Sequence, residues 1–178
     1  RGAHAPAERV VRRIDPGPQP DPLVFGIFAV FEILLASVYT GVARRALDLA
    51  VEAATSRRSK KTGTTYANDP DIRWRVADMA LAYEALPPQL ASLARDVDDL
   101  ADHGPRWFSL LSGVKHRAVI TAKDVVDDAI LVGGGAAYFT RNELSRLYRD
   151  VLAGMFHPSD AESAHSTAAS AWLGPVTA

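Results

Sequence analysis

Apolar residues in this chain recur at helical spacing over most of its length. From Ile72 to Leu100 the series Ile72, Val76, Met79, Tyr83, Leu86, Leu90, Leu93, Val97 and Leu100 advances in steps of four and three, the seam of an antiparallel bundle helix. Pro87-Pro88 falls inside the series without shifting its phase, which predicts one bent helix, since a loop would reset the phase. A second stripe, Trp107, Leu111, Val114, Ala118, Thr121, Val125, Ala129 and Val132, opens after Gly104-Pro105 and stops at Gly133-Gly134-Gly135. Ahead of both, a helix is predicted from Leu23 to Ser56, ending at the basic cluster Arg57, Arg58, Lys60 and Lys61, which complements its dipole. Two shorter helices follow Gly135. Capping-box patterns predict their starts, Thr140 with Glu143 and Ser159 with Glu162, and they end by Gly154 and at Leu173-Gly174-Pro175. The predicted fold is all-α: an up-and-down bundle of three long and two shorter helices.

Residues 1–22 stand apart from the bundle at 23–178. Val10, Val11 and Ile14 lie in an Arg-rich stretch, the one strand-like segment at 8–14, and Asp15 to Pro22 alternates prolines into an extended linker. The chain opens on Arg1 without Met, and Arg1–Arg13 lacks the apolar core of a cleavable signal.

Leu23 to Ala43 is apolar enough to span a bilayer, with Glu32 its only charge. Glu32, Ser37 and Thr40 favour burial in protein, so the expectation is a helix apolar all round inside a bundle or subunit interface, with no membrane span. The net charge of −1 argues against nucleic acid recognised through bulk positive charge. The absence of cysteine excludes disulfides, cysteine-held metal and thiol catalysis, and no residues show metal-ligand spacing.

Several segments, in a fixed order, resemble the acyl-CoA dehydrogenase superfamily. Ala5-Pro6-Ala7-Glu8-Arg9-Val10-Val11 is similar to the strand that closes the family's middle β-domain. Gly41-Val42-Ala43-Arg44-Arg45-Ala46-Leu47-Asp48 resembles its first long C-terminal helix. Asp128 to Gly135 resembles the segment ending in the Gly-Gly turn, and Arg146-Leu147-Tyr148-Arg149-Asp150 the R-x-x-R-D signature. The resemblance implies the C-terminal bundle of an FAD-dependent oxidoreductase of fatty acid or lipid metabolism that α,β-dehydrogenates an acyl-CoA. It implies partnership with further domains of the same chain, homo- or hetero-oligomerisation and a cytoplasmic location. The alternatives are a reduced-flavin monooxygenase of the same superfamily and a non-catalytic bundle assembling with a catalytic partner.

The same resemblance nominates the site residues. Arg57 or Arg58, followed by Gly63, is similar to the loop whose Arg meets the FAD pyrophosphate of a neighbouring subunit; a solvated helix end is the other reading. Gly134 and Gly135 match the Gly-Gly turn at the adenine end, with Leu131 where the family carries glutamine. The usual glutamate base, eight residues after Asp150, is replaced by Pro158, with His157 beside it. The second branch's glutamate, ten residues before Gly41, falls on Phe31, next to Glu32. Glu32 is therefore either a base poised by apolar surroundings or the partner of a cation at an interface. His157 resembles the loop histidine of the monooxygenase branch, or is a histidine packed at a helix N-terminus.

Overall fold

The computed structural model describes residues 6–10, 12–14 and 21–176. Its helices are α1 (Pro22–Ser56), α2 (Pro70–Glu84), α3 (Leu86–Asp98), α4 (Arg106–Gly133), α5 (Glu143–Leu152) and α6 (Ala161–Leu173). Pro22 opens α1 behind an Asp21 cap, and Pro70 opens α2 behind Asp69. In each case the cap carboxylate accepts from two backbone N–H groups. α2 and α3 are the anticipated bent helix, interrupted only at Ala85, which keeps a helical conformation. Pro87 and Pro88 sit in the first turn of α3, where their missing N–H groups cost least.

α4 is the hub, packing along α1 and also against α2, α3, α5 and α6. The α1 face turned toward it is built from small residues: Ala29, Ala36, Ala43, Ala46, Ala50 and Ala54, with Glu32 and Tyr39 among them. Facing them, α4 buries Leu111, Val114, Ala118, Val119, Ala122, Val125, Val126, Ala129 and Val132. Alanine lets the two backbones approach closely, so the larger α4 side chains fill the space between them.

That packing buries α1 on one face only, so the bundle of this chain covers just part of the helix. Ile27, Val30, Leu34 and Val38 are 64%, 53%, 60% and 58% exposed, because the alanine face wins the core and turns the bulky face outward. α1 is also the one helix among the described residues long and apolar enough to cross a membrane, with 28% of its most apolar window buried.

Other expectations shift locally. Leu100 leaves the predicted seam: it is 88% exposed with φ +53, beyond the end of α3. The cap of α5 is Asn142, accepting from Leu144 N–H, and not Thr140. Glu143 is drawn to Arg45 in a bidentate pair at 3.0 and 2.7 Å, stronger than a reciprocal cap bond. The cap of α6 is Asp160, not Ser159. The N-terminal segment forms a 3-10 turn at Ala7–Arg9 in place of a strand, there being no neighbouring strand among the described residues to pair with. Ala5, Val11 and the Asp15–Pro20 linker lie outside the described residues.

Candidate functional site

The first cluster forms where the α5–α6 loop crosses α1 and α4. Glu32 is fully buried, on the core face of α1. The Ser159 hydroxyl donates to its Oε1, while Oε2 has no hydrogen-bond partner among the described residues. Lys115 of α4, 1% exposed, donates from Nζ to the carbonyls of Gly154 (3.1 Å), His157 (3.4 Å) and Ser159 (3.0 Å). Burial pushes the Glu32 carboxyl above its ordinary range, opposed by the Ser159 bond and the Lys115 charge. Burial lowers Lys115, opposed by the charges of Glu32 and Asp160.

The same loop carries His157. Its Nδ1 lies 3.4 Å from the Tyr39 hydroxyl, with ring centroids 6.1 Å apart. Tyr39 lies two turns along α1 from Glu32 on the same face. Its ring seats on Gly154: a Cβ there would stand 2.7 Å from the ring. Glu32 and Tyr39 thus meet opposite ends of one loop, and Glu32 and His157, distant in sequence, are brought to it together. Phe31, the position matching the second branch's base, points away, 37% exposed.

The second cluster lies at the far end of α1. An Arg57 terminal nitrogen, Nη1, donates to the Gly133 carbonyl and stands 3.5 Å from that of Val132, closing the C-terminus of α4. Its guanidinium also lies 5.2 Å from the Tyr66 ring centroid. Gly134 takes φ +64, ψ −160, a conformation essentially restricted to glycine, with Arg57 packed against it. Gly135 is open: a Cβ there meets nothing within 4 Å. Arg58 instead donates to Gly63 within its own loop, at 2.9 Å. Beside the glycines lies an open groove of about 780 Å³, lined by Leu131, Tyr138, Tyr148 and Arg149 among others. Arg57 stands 25 residues along α1 from Glu32 and 18 from Tyr39, about 37 Å and 27 Å at helical rise, so the two clusters lie at opposite ends of the helix.

Lys115, Ser159 and Tyr39 escaped the sequence reading. Lys115 had a signal, lying four residues from Leu111 and from Val119 on the buried face of α4. Ser159 was hidden by its resemblance to a cap.

An all-α bundle with a buried acid–amine cluster at one end and an arginine–glycine corner at the other defines a helical domain with two separate anchoring points. The family profile described as acyl-CoA dehydrogenase, C-terminal domain, matches residues 33–159, and the chain belongs to that family. Members of the family are FAD-dependent flavoproteins. Amino sugar nitrososynthase DnmZ of Streptomyces peucetius is 30% identical over 166 residues, 88% of this chain and 39% of the relative. The acyl-CoA dehydrogenase homologue YdbM of Bacillus subtilis is 32% identical over 139 residues, 78% of this chain and 36% of its own. The chain therefore spans less than two-fifths of the curated relatives it matches. Butyryl-CoA dehydrogenase from Megasphaera elsdenii shares the fold, with a TM-score of 0.77 at 21% identity over 85% of this chain and 38% of that one.

Proposed function

We propose that this domain serves a flavin-dependent oxygenase, using reduced FAD and dioxygen on an amino group, in preference to an acyl-CoA dehydrogenase. One observation carries the reading: Glu32, the acidic residue nearest the family's base positions, is fully buried under the Ser159 hydroxyl. A dehydrogenase base must reach the α-carbon of its substrate, and Glu32 would have to displace the α5–α6 loop to do so. His157 is the titratable side chain that the loop leaves available. Tyr39 fixes its Nδ1 side, and Nε2 has no hydrogen-bond partner among the described residues. His157 would hold or move a proton at Nε2. Three nitrososynthases among the relatives, at 28–31% identity, favour the same chemistry.

The residues at the second cluster fit part of an FAD. Arg57 commits Nη1 to the α4 carbonyls and has Nε and Nη2 left to hold a diphosphate. The open backbone at Gly135 suits close approach of the adenine end. Lying about 27 Å along α1 from Tyr39, the partner of His157, the Arg57 end would serve a second flavin, that of a neighbouring subunit. When bound, reduced flavin supplies the electrons that activate dioxygen.

Acyl-CoA dehydrogenation is the second reading. YdbM favours it, as do the raised Glu32 carboxyl and its unpartnered Oε2. The full-length protein separates the two. Under the oxygenase reading, butyryl-CoA leaves bound FAD oxidised under anaerobic conditions, and reduced FAD with oxygen converts an amino sugar. His157→Ala then lowers that turnover by about 10²–10⁴-fold. Bleaching of the flavin by acyl-CoA, abolished in Glu32→Gln, would overturn the proposal.

A further inference from the structure

The Lys115 site poses a physical question that the flavin chemistry leaves unanswered. An ammonium removed from water is costly unless its donors are satisfied and its charge balanced. A methionine would fill the same volume without that cost. What the ammonium adds is geometry: it has three donors, and three carbonyls, those of Gly154, His157 and Ser159, converge on it. These carbonyls belong to an irregular stretch between α5 and α6, where helix bonding ends and oxygens are left without intrahelical partners. Lys115 joins both ends of that stretch and its middle to one point on α4.

Ser159 shows that the loop is held under load. It adopts φ +58, a left-handed conformation that a non-glycine residue takes up only at a cost. Two bonds keep it there: its carbonyl accepts from Lys115, and its hydroxyl donates to Glu32. Glu32 and Lys115 make no ion pair closer than 4 Å. They meet through this serine, each compensating the other's charge at one remove. Gly154 completes the seat, since its lack of a side chain admits the Tyr39 ring that also faces His157.

We infer that Lys115 is a positioning residue whose buried ammonium clamps the α5–α6 loop and so fixes the orientation of His157, with Glu32 acting on the same loop through Ser159. The effect on turnover rests on the role of His157 proposed above; the ordering of the loop does not.

Hydrogen–deuterium exchange and turnover on the full-length protein test this together. In Lys115→Met, the amides of residues 154–157, 159 and 160 exchange at least about tenfold faster while α1 and the centre of α4 keep their protection. Turnover of an amino sugar with reduced FAD and oxygen falls at least about tenfold, in kcat more than in KM. In Lys115→Ala, added n-propylammonium restores both, and n-propanol, of the same size but uncharged, does not. Wild-type exchange in this loop, or equal rescue by the alcohol, overturns the inference. If Lys115→Met fails to fold, Ser159→Ala removes the Glu32 link alone and should loosen the same amides; unchanged exchange there overturns the inference too. A loop loosened in Lys115→Met beside full turnover in His157→Ala would sink the oxygenase reading and leave the clamp standing. An unaltered loop beside turnover that depends on His157 would do the reverse.

Discussion

The Ser159 hydroxyl donates to Glu32 across 127 residues of sequence, joining the start of α6 to the core face of α1. Glu32 thereby serves as an anchor for a loop while its carboxyl stays out of solvent.

The pH dependence of stability should report this burial. The folded state holds the Glu32 proton to higher pH than the unfolded chain does. The stability this contributes is fully present below the ordinary value of 4.5 and is lost as pH rises through the raised folded value. Lys115, lowered by burial, runs the other way: its contribution is present at alkaline pH and lost as pH falls through its lowered value. The melting temperature of Glu32→Gln minus that of wild type should therefore increase between about pH 4 and pH 8. A constant difference across that range would falsify the assignment.

Gly134 and Gly135 are neighbours with different demands. Gly134→Ala must adopt φ +64 with its Cβ 3.3 Å from the Arg57 guanidinium, and should cost about 1–3 kcal/mol. Gly135→Ala meets nothing within 4 Å and should stay within about 0.5 kcal/mol of wild type. Urea unfolding of both variants checks the contrast, and equal losses would show that Gly134 is not held in this conformation.

Gly154→Ala places a methyl 2.7 Å from the Tyr39 ring and 2.9 Å from Val119, neither of which can retreat from a packed core. A loss of about 1–3 kcal/mol is expected, together with faster exchange of the amides around His157. Thermal unfolding gives the first quantity; an unchanged melting temperature would mean that the loop does not rest on Tyr39.

The outer face of α1 should be sticky. Ile27, Val30, Leu34 and Val38 line one side of it and remain exposed in this chain, an apolar stripe that contact with another subunit or domain would cover. In light scattering, residues 1–178 should self-associate as concentration rises, and Ile27→Glu with Leu34→Glu should return the chain to monomer. A wild-type chain that stays monomeric at high concentration would count against this.

How much was legible beforehand depends on the range of the interactions involved. The spacing of Ile72 through Leu93 and of Leu111 through Val132 determined α2, α3 and α4, and Pro105 and Gly133 placed the ends of α4 within a residue, because those signals act within one or two turns of the chain. The order of the motifs around Gly41, Gly134 and Arg146 likewise determined the family. The sequence alone did not determine which face of α1 turns inward. Both of its faces are apolar, and only the close approach of α4 selects alanine over Ile27 and Leu34 for the core. Nor did it determine the partners of Glu32. A serine three residues before a glutamate reads locally as a helix cap; at Ser159 the hydroxyl goes instead to a carboxylate 127 residues away, and Asp160 takes over the cap. Hydrogen bonds of that kind depend on where tertiary packing sets two distant segments, and no local pattern along the chain encodes them.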